Sequence, residues 1–238
     1  MPARQSNCSS WLADLTSPEV GRRAEAGALL AIPLGSTEQH GAHLPLSTDT
    51  DVAVALCGRL AAARGDVVIA PPVAYGSSGE HDGFPGTLSI GLAAVEMVVV
   101  ELGRSATETF TCLVLVSAHG GNTEAVTKAV RTLQAESRDV LLYLPRWVGD
   151  PHAGHQETSM MLDLAPSLVH MDRAVRGDAR PIAETWPLLR SGGVRAVTDT
   201  GVLGDPTKAN PDDGRDLLDA LGARLIDEVA AWHPVVTA

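Results

Sequence analysis

Short apolar runs alternate along this chain with longer stretches whose apolar positions recur at helical spacing. The runs ALLAIPL (28–34), DVVIAPPV (66–73), CLVLVSA (112–118) and DVLLYLP (139–145) have strand length and are rich in Val, Ile and Leu, which reads as buried strands. Helical patterns lie between and after them: DVAVALCGRLAAARG, the helix from Gly91, a segment from Thr123 to Ala135, the short ETSMMLDLA, and a closing GRDLLDALGARLIDEVAAW. This alternation predicts a three-layer α/β/α fold with a mostly parallel central sheet. No internal repeat, low-complexity tract or interdomain linker breaks residues 1–238, so a single domain is expected. The Gly- and Pro-rich stretches YGSSGEHDGFPGTLS, HGGN, VGDPHAGHQ and GVLGDPTKANPDDG fall between strands and helices. Ligands of open parallel sheets bind beyond the carboxyl ends of the strands, so these loops are where chemistry is expected.

Composition narrows the picture. Only 3% of the chain is aromatic while 45% is hydrophobic, so Leu, Val and Ala must fill the core. A formal net charge of −11 argues against a nucleic-acid surface, which needs clustered Lys and Arg. The N-terminal MPARQSNCSSWLADL has no apolar segment of signal length and no Met-Gly start. The most apolar helix is interrupted by Glu96 and Glu101 and is shorter than the about 20 residues a bilayer requires. Neither export nor membrane insertion is expected. Cys8, Cys57 and Cys112 are odd in number and lie outside any CxxC pattern, as expected for free thiols in a reducing cytoplasm.

Of the eight His, His40, His43, His81, His119, His152 and His155 lie in the post-strand loops or at their edges; His170 and His233 do not. GSTEQHGAHLPLSTDTD follows the first strand run and holds one Glu, two His and two Asp. Extended backbone turns Glu38 and His40 the same way, about 6 to 7 Å apart, a spacing that suits ligands of neighbouring metal ions. Asp49 follows at a helix start, where the dipole favours a carboxylate whose two oxygens could bridge two ions. The plainer reading makes Thr48 or Asp49 a helix cap, and Glu38 and His40 solvated loop polars. His119 stands between a strand and a helix, with Gly120 and Gly121 letting the backbone close around a ligand; a hydrogen-bonded turn histidine is the alternative. DPHAGHQETSMM offers His152, His155 and Glu157, the last at a position the helix dipole alone would favour. Taken jointly, loops sent to one sheet edge carry imidazoles and carboxylates in a mixture suited to zinc, iron or manganese rather than calcium. That set predicts a two-metal hydrolase, with ions about 3.5 to 4 Å apart activating a water. GSSG at 76–79 does not fit the nucleophile elbow of serine hydrolases.

The segments GSTEQHGAHLPLSTDTD, GEHDGFPGTLSIG, HGGN and HAGHQETSMML, in that order, resemble the creatininase family of metal-dependent amidohydrolases over most of the chain. The ELGRSA helix and GVLGDPTKANPDDG look most like that family's peptidase branch from mycofactocin maturation. The resemblance implies two divalent ions per subunit: one held by Glu38, Asp49 and His119, the other by His40, Asp49 and Glu157, with Asp49 as the bridge. It implies proton transfer at His152, and pocket positions at His43, Glu80, His81, Phe84 and His155. Creatinine-hydrolysing members carry a carboxylate two residues after the loop histidine, where this chain has Gly121. Glu157 is read as the replacement, and the departure points away from creatinine. The family's Asn-Gly-His is here Ser117-Ala118-His119, and the loop around Trp147 could cover substrate. The implied reaction is hydrolysis of a peptide bond near the C-terminus of a modified precursor peptide, freeing its altered Val-Tyr end. A small cyclic amide or formamide is the alternative substrate, and a non-catalytic metal-binding module of a maturation complex is the alternative of another class. A symmetric homo-oligomer, with a hexamer suggested by the family, completes what the resemblance implies.

Overall fold

The computed structural model describes residues 9–234. Its sheet has four parallel strands, β1 (Leu29–Leu34), β2 (Val67–Ile69), β3 (Cys112–Ser117) and β4 (Asp139–Tyr143), in the order β2-β1-β3-β4. Every residue of β1 and β3 is buried, which is why the sequence shows unbroken apolar runs there instead of an alternation. Successive side chains feed opposite layers. Leu30, Ile32 and Leu34 pack with Val99 of α3 (Leu92–Ala106) and Val126 and Leu133 of α4 (Thr123–Ala135). Leu29 and Ala31 pack with Leu56 of α2 (Thr48–Ala63), Met160 of α5 (His155–Leu164) and Leu221 and Leu225 of α7 (Pro211–Trp232). The three predicted layers are present.

The differences from the sequence reading have local causes. DVVIAPPV yields a strand of only three residues, because Pro71 and Pro72 bring no backbone donors to a ladder. Two helices were not predicted. One is α1 (Ser17–Glu25), nine residues with a capping box between Thr16 and Glu19; the other is α6 (Ile182–Gly192), whose apolar spacing is broken by Pro187. The helix read from Glu157 begins two residues earlier, at His155. Gly214 lets α7 lie directly on α5, since a Cβ there would collide with the Ser159 carbonyl. That contact anchors the helix carrying Glu157. Cys57 and Cys112 are buried free thiols, and Cys8 lies outside the described residues. No helix among the described residues is long and apolar enough to cross a membrane.

Candidate metal centre

Leu34 and Ser117 are register partners, so the segments leaving β1 and β3 start side by side. Gly35 permits close approach to α2, where a Cβ would meet the Thr50 backbone. Asn122 ties the loops together, donating to the Gly35 carbonyl at 2.9 Å and accepting from the Ser77 amide at 2.8 Å. Glu38 and His40 follow β1, Asp49 sits in the first turn of α2, His119 follows β3, and His152 and Glu157 come from the start of α5 and the segment before it. All six are at most 8% exposed. The structure therefore brings together every residue read as a metal ligand or proton carrier.

Backbone carbonyls fix the orientation of three rings. His40 Nδ1 lies 3.2 Å from the Glu38 carbonyl, His119 Nε2 2.8 Å from the Ser77 carbonyl, and His152 Nε2 2.9 Å from the Gln39 carbonyl. A carbonyl only accepts, so each of those nitrogens is assigned the hydrogen; at His152 the Gln39 side-chain amide, 3.1 Å from the same Nε2, is then a close contact and gives it no hydrogen. The opposite nitrogens of the neutral rings are bare, and they face carboxylates. His40 Nε2 is 3.3 Å from Asp49 Oδ1 and 3.8 Å from Glu157 Oε2; His119 Nδ1 is 3.1 Å from Asp49 Oδ2; His152 Nδ1 is 3.8 Å from Glu38 Oε1. Such pairing of lone pair with lone pair is repulsive unless a cation lies between.

Two observations fit a metal to this donor set. Glu38 Oε2 and His40 Nε2 are buried with no hydrogen-bond partner, a state that costs about 1 to 3 kcal/mol per atom and that a coordinated ion relieves. Donor atoms of Glu38, His40 and Asp49 also lie within 4.8 Å of one another, as do those of His40, His152 and Glu157. His119 stands outside these triads but reaches Glu38 Oε2 at 3.3 Å as well as Asp49. The buried cluster binds divalent metal.

Electrostatics point the same way. Burial opposes charge on His40 and His119, but the surrounding carboxylates, Asp49 foremost, outweigh it and raise both to about 10. Burial raises Glu38 to about 8, with Asp49 adding to the effect, and raises Glu157 to about 7 against the pull of His40. Burial also works against ionised Asp49, yet His40 and His119 hold it well below the usual carboxylate range. Protons thus fill the gaps that ions would take, and the two compete for the same lone pairs. His152 behaves differently: burial and the neighbouring His40 and His81 keep it well below its ordinary value and neutral.

A cavity of about 810 Å³ opens over this floor. Glu80 and His81 are on its wall, with Trp147 and, from α6, Trp186. The other proposed pocket positions are not. His155 is two residues from Glu157 on α5, roughly 200° around the helix axis, and its ring turns to Asp213 at 2.8 Å. His43 lies behind the floor on Thr158 Oγ1 at 2.9 Å, and burial lowers it to about 4. Phe84 is covered by the Arg195 guanidinium, 5.1 Å from its ring centre.

Gln39 went unnoticed in the sequence because it sits between two more conspicuous residues. Its amide oxygen accepts from the Gly41 amide at 3.0 Å, so its nitrogen points to His81 Nδ1 at 2.7 Å. His81 therefore keeps its hydrogen on Nε2, 3.3 Å from Glu38 Oε1. Ser36 was likewise missed; its hydroxyl donates to Asp49 Oδ2 at 2.6 Å. At Gly121 a Cβ would collide with the Ser77 carbonyl, the Glu80 carboxylate and the His119 ring. No side chain fits there, and the Glu80 carboxylate occupies the adjoining space, 3.8 Å from His119 Nε2.

Known proteins share this arrangement of chain. A family model described as creatinine amidohydrolase matches residues 13–229. A mycofactocin precursor peptide peptidase of Mycolicibacterium smegmatis is 47% identical over 217 residues, covering 87% of this chain and 86% of that one. Among solved structures, a creatinine amidohydrolase (creatininase) superposes with a TM-score of 0.84 at 26% identity, over 96% of this chain and 100% of the other. A glutamine-substituted mutant creatininase described as Zn-Zn type gives 0.81 at 25% identity, over 95% and 99%.

Proposed function

The chain belongs to the creatininase family, and from that membership we propose that it hydrolyses a peptide C–N bond in a modified precursor peptide, freeing the altered Val-Tyr end. It is a metal-dependent amidohydrolase. The observation that carries the reading is the convergence of bare ring nitrogens from His40, His119 and His152 on Glu38, Asp49 and Glu157 at the cavity floor. A cavity of about 810 Å³ has the size of sites that enclose drug-sized ligands, ample for a dipeptide end.

In this reading Glu38, Asp49 and His119 would hold one divalent ion and His40, Asp49 and Glu157 would hold the other, zinc, iron and manganese all being compatible with the mixed donors. When bound, such ions supply Lewis acidity that activates water and polarises an amide carbonyl. The remaining work belongs to the chain. Ser36 donates to Asp49 and steadies it, and His81 Nε2 stands 3.3 Å from Glu38 Oε1. His152 is neutral, with its Nε2 hydrogen on the Gln39 carbonyl and Nδ1 facing the floor. Nδ1 takes a proton as water adds to the carbonyl and gives it to the departing amine nitrogen as the C–N bond breaks. No enzyme-bound covalent intermediate is required.

The test is to incubate metal-loaded protein under reducing conditions with the modified peptide and, separately, with creatinine and other small cyclic amides, and to identify products by mass spectrometry. Release of the Val-Tyr-derived end, with the cyclic amides intact, is expected. An intact peptide alongside an opened cyclic amide overturns the assignment.

A further inference from the structure

The apolar side chains of α6 do not serve the interior. Among the described residues, none of this helix joins either core layer. The helix is held instead just beyond its carboxyl end, by the loop that carries Glu80 and His81. Gly193 comes so close to that loop that a Cβ there would stand 2.5 Å from the Glu80 carbonyl oxygen. Arg195 donates to the Gly83 carbonyl at 2.7 Å and lies over Phe84. This attachment lays α6 along the cavity above the metal centre, and Ile182, Trp186 and Leu189 all line it. At about 100° per residue the three fall within about 60° of one another around the helix axis, so they form one stripe. Leu188, which is also exposed but is not on the cavity wall, points roughly 160° away from Trp186. Two of the chain's four Trp line this one cavity. Trp147 is anchored, packing against the core and donating from Nε1 to the Asp150 carbonyl at 3.4 Å. Trp186 is 54% exposed and outside the core, so its ring is open to whatever enters. Charged groups of both signs share the wall, among them Glu80, Arg146, Asp150 and Arg190. Net charge therefore selects little, and the apolar stripe is what α6 contributes.

We infer that α6 is the specificity wall of the cavity, with Trp186 as its main determinant, and that it receives a bulky apolar or aromatic side chain from the substrate segment entering the cavity. The inference rests on the peptidase reading and says which part of the wall receives the released end. An aromatic ring laid against the indole removes apolar surface of both partners from water and gains the offset or edge contact that such pairs favour. A methyl side chain leaves the stripe wet and gains neither.

The experiment uses metal-loaded protein and two dipeptides, Val-Tyr and Val-Ala, with binding followed by calorimetry. Val-Tyr is expected to bind about tenfold more tightly than Val-Ala, the scale of burying one aromatic side chain. Trp186→Ala should cut that preference to less than about threefold, while Trp186→Phe, which keeps an aromatic face, retains most of it. Metal content should be unchanged in both variants, which separates loss of the wall from loss of the centre. Leu188→Ala, on the same helix but off the cavity wall, serves as the control and leaves the preference in place. Equal affinity for the two dipeptides, binding of neither, or a preference that survives Trp186→Ala overturns the inference. If Trp186→Ala keeps the preference and instead changes the sedimentation coefficient, the stripe is a contact between copies of the chain and the inference fails. Tyr-selective binding without cleavage of the modified peptide supports the α6 wall and counts against the peptidase reading, whereas cleavage without that selectivity does the reverse.

Discussion

Asp49 Oδ2 lies 3.1 Å from His119 Nδ1. Its other oxygen faces His40 Nε2 at 3.3 Å, so one carboxylate at the start of α2 touches rings delivered by the loops after β1 and β3. The two halves of the centre are joined through this residue. Its place in the first turn of α2 also sets it where helix amides favour negative charge, so Asp49 stays ionised with or without metal.

Asp49→Ala should lose both ions, and Asp49→Asn, which keeps the shape, should lose most of the affinity. Removing an outer partner of a metal ligand already costs about 10- to 100-fold in affinity, and removing a shared ligand costs more. Elemental analysis after dialysis reads the result directly. Full metal content in the Asn variant is incompatible with Asp49 acting as the bridge.

Stability of the metal-free protein should fall as pH rises. His40 and His119 are raised from 6.5 to about 10, Glu38 from 4.5 to about 8, and Glu157 from 4.5 to about 7. A group with a raised folded-state value contributes stability that is complete below its ordinary value and is lost as pH climbs through the folded value. Asp49, held below 3.8, works the other way; its contribution is present above that ordinary value and disappears on acidification. Metal displaces the four retained protons, so its stabilising effect grows with pH. The gap in Tm between metal-loaded and chelator-treated protein should widen from about pH 6 to about pH 9, and loading near neutrality should release protons measurable by calorimetry in buffers of different ionisation enthalpy. A constant gap with no proton release contradicts the placement of those protons.

The sheet and most helices were legible because burial on both faces leaves unbroken apolar runs such as LLAIPL, and packing on one face leaves helical spacing such as that of α4. Residues of the centre were legible for a different reason: polar, metal-competent side chains directly after a buried strand have few other purposes. What stayed hidden depends on contacts between distant segments. Gln39 and Ser36 act through neighbours that only the fold supplies. HAGHQE offers both His152 and His155 to the pocket, yet His155 begins α5 and turns to Asp213, whereas His152 precedes the helix and lies against Gln39 and Glu38. The mouth was hidden too, because α6 and its Arg190 follow a broken apolar pattern with no chemical signature.

Gly121→Ala should damage the centre without touching any ligand. The added methyl collides with the Ser77 carbonyl, the Glu80 carboxylate and the His119 ring. The carbonyl belongs to a loop held by Asn122, so the ring and Glu80 must yield first. A destabilisation of about 1 to 3 kcal/mol, typical of forced overpacking, is expected in denaturant unfolding, together with weaker metal retention. A variant with wild-type stability and metal content shows that the loop has slack that the contacts deny.

His152→Ala separates holding metal from moving protons. The ring sits over the cluster with Nδ1 3.8 Å from Glu38 Oε1, yet Glu38, His40, Asp49, His119 and Glu157 supply five donors without it. Metal content should stay at the wild-type level while kcat falls by about 10²- to 10⁴-fold, the range for loss of a general acid–base. Gln39→Leu offers a milder comparison, because it leaves the Gln39 backbone carbonyl bound to His152 Nε2 and removes the amide that fixes His81 and also stands 3.1 Å from His152 Nε2. It should disturb Glu38, and with it metal affinity, more than proton transfer. If His152→Ala instead empties the site, the ring is a ligand and the proton must be carried by another group on the wall, where His81 stands 4.4 Å away between ring centres.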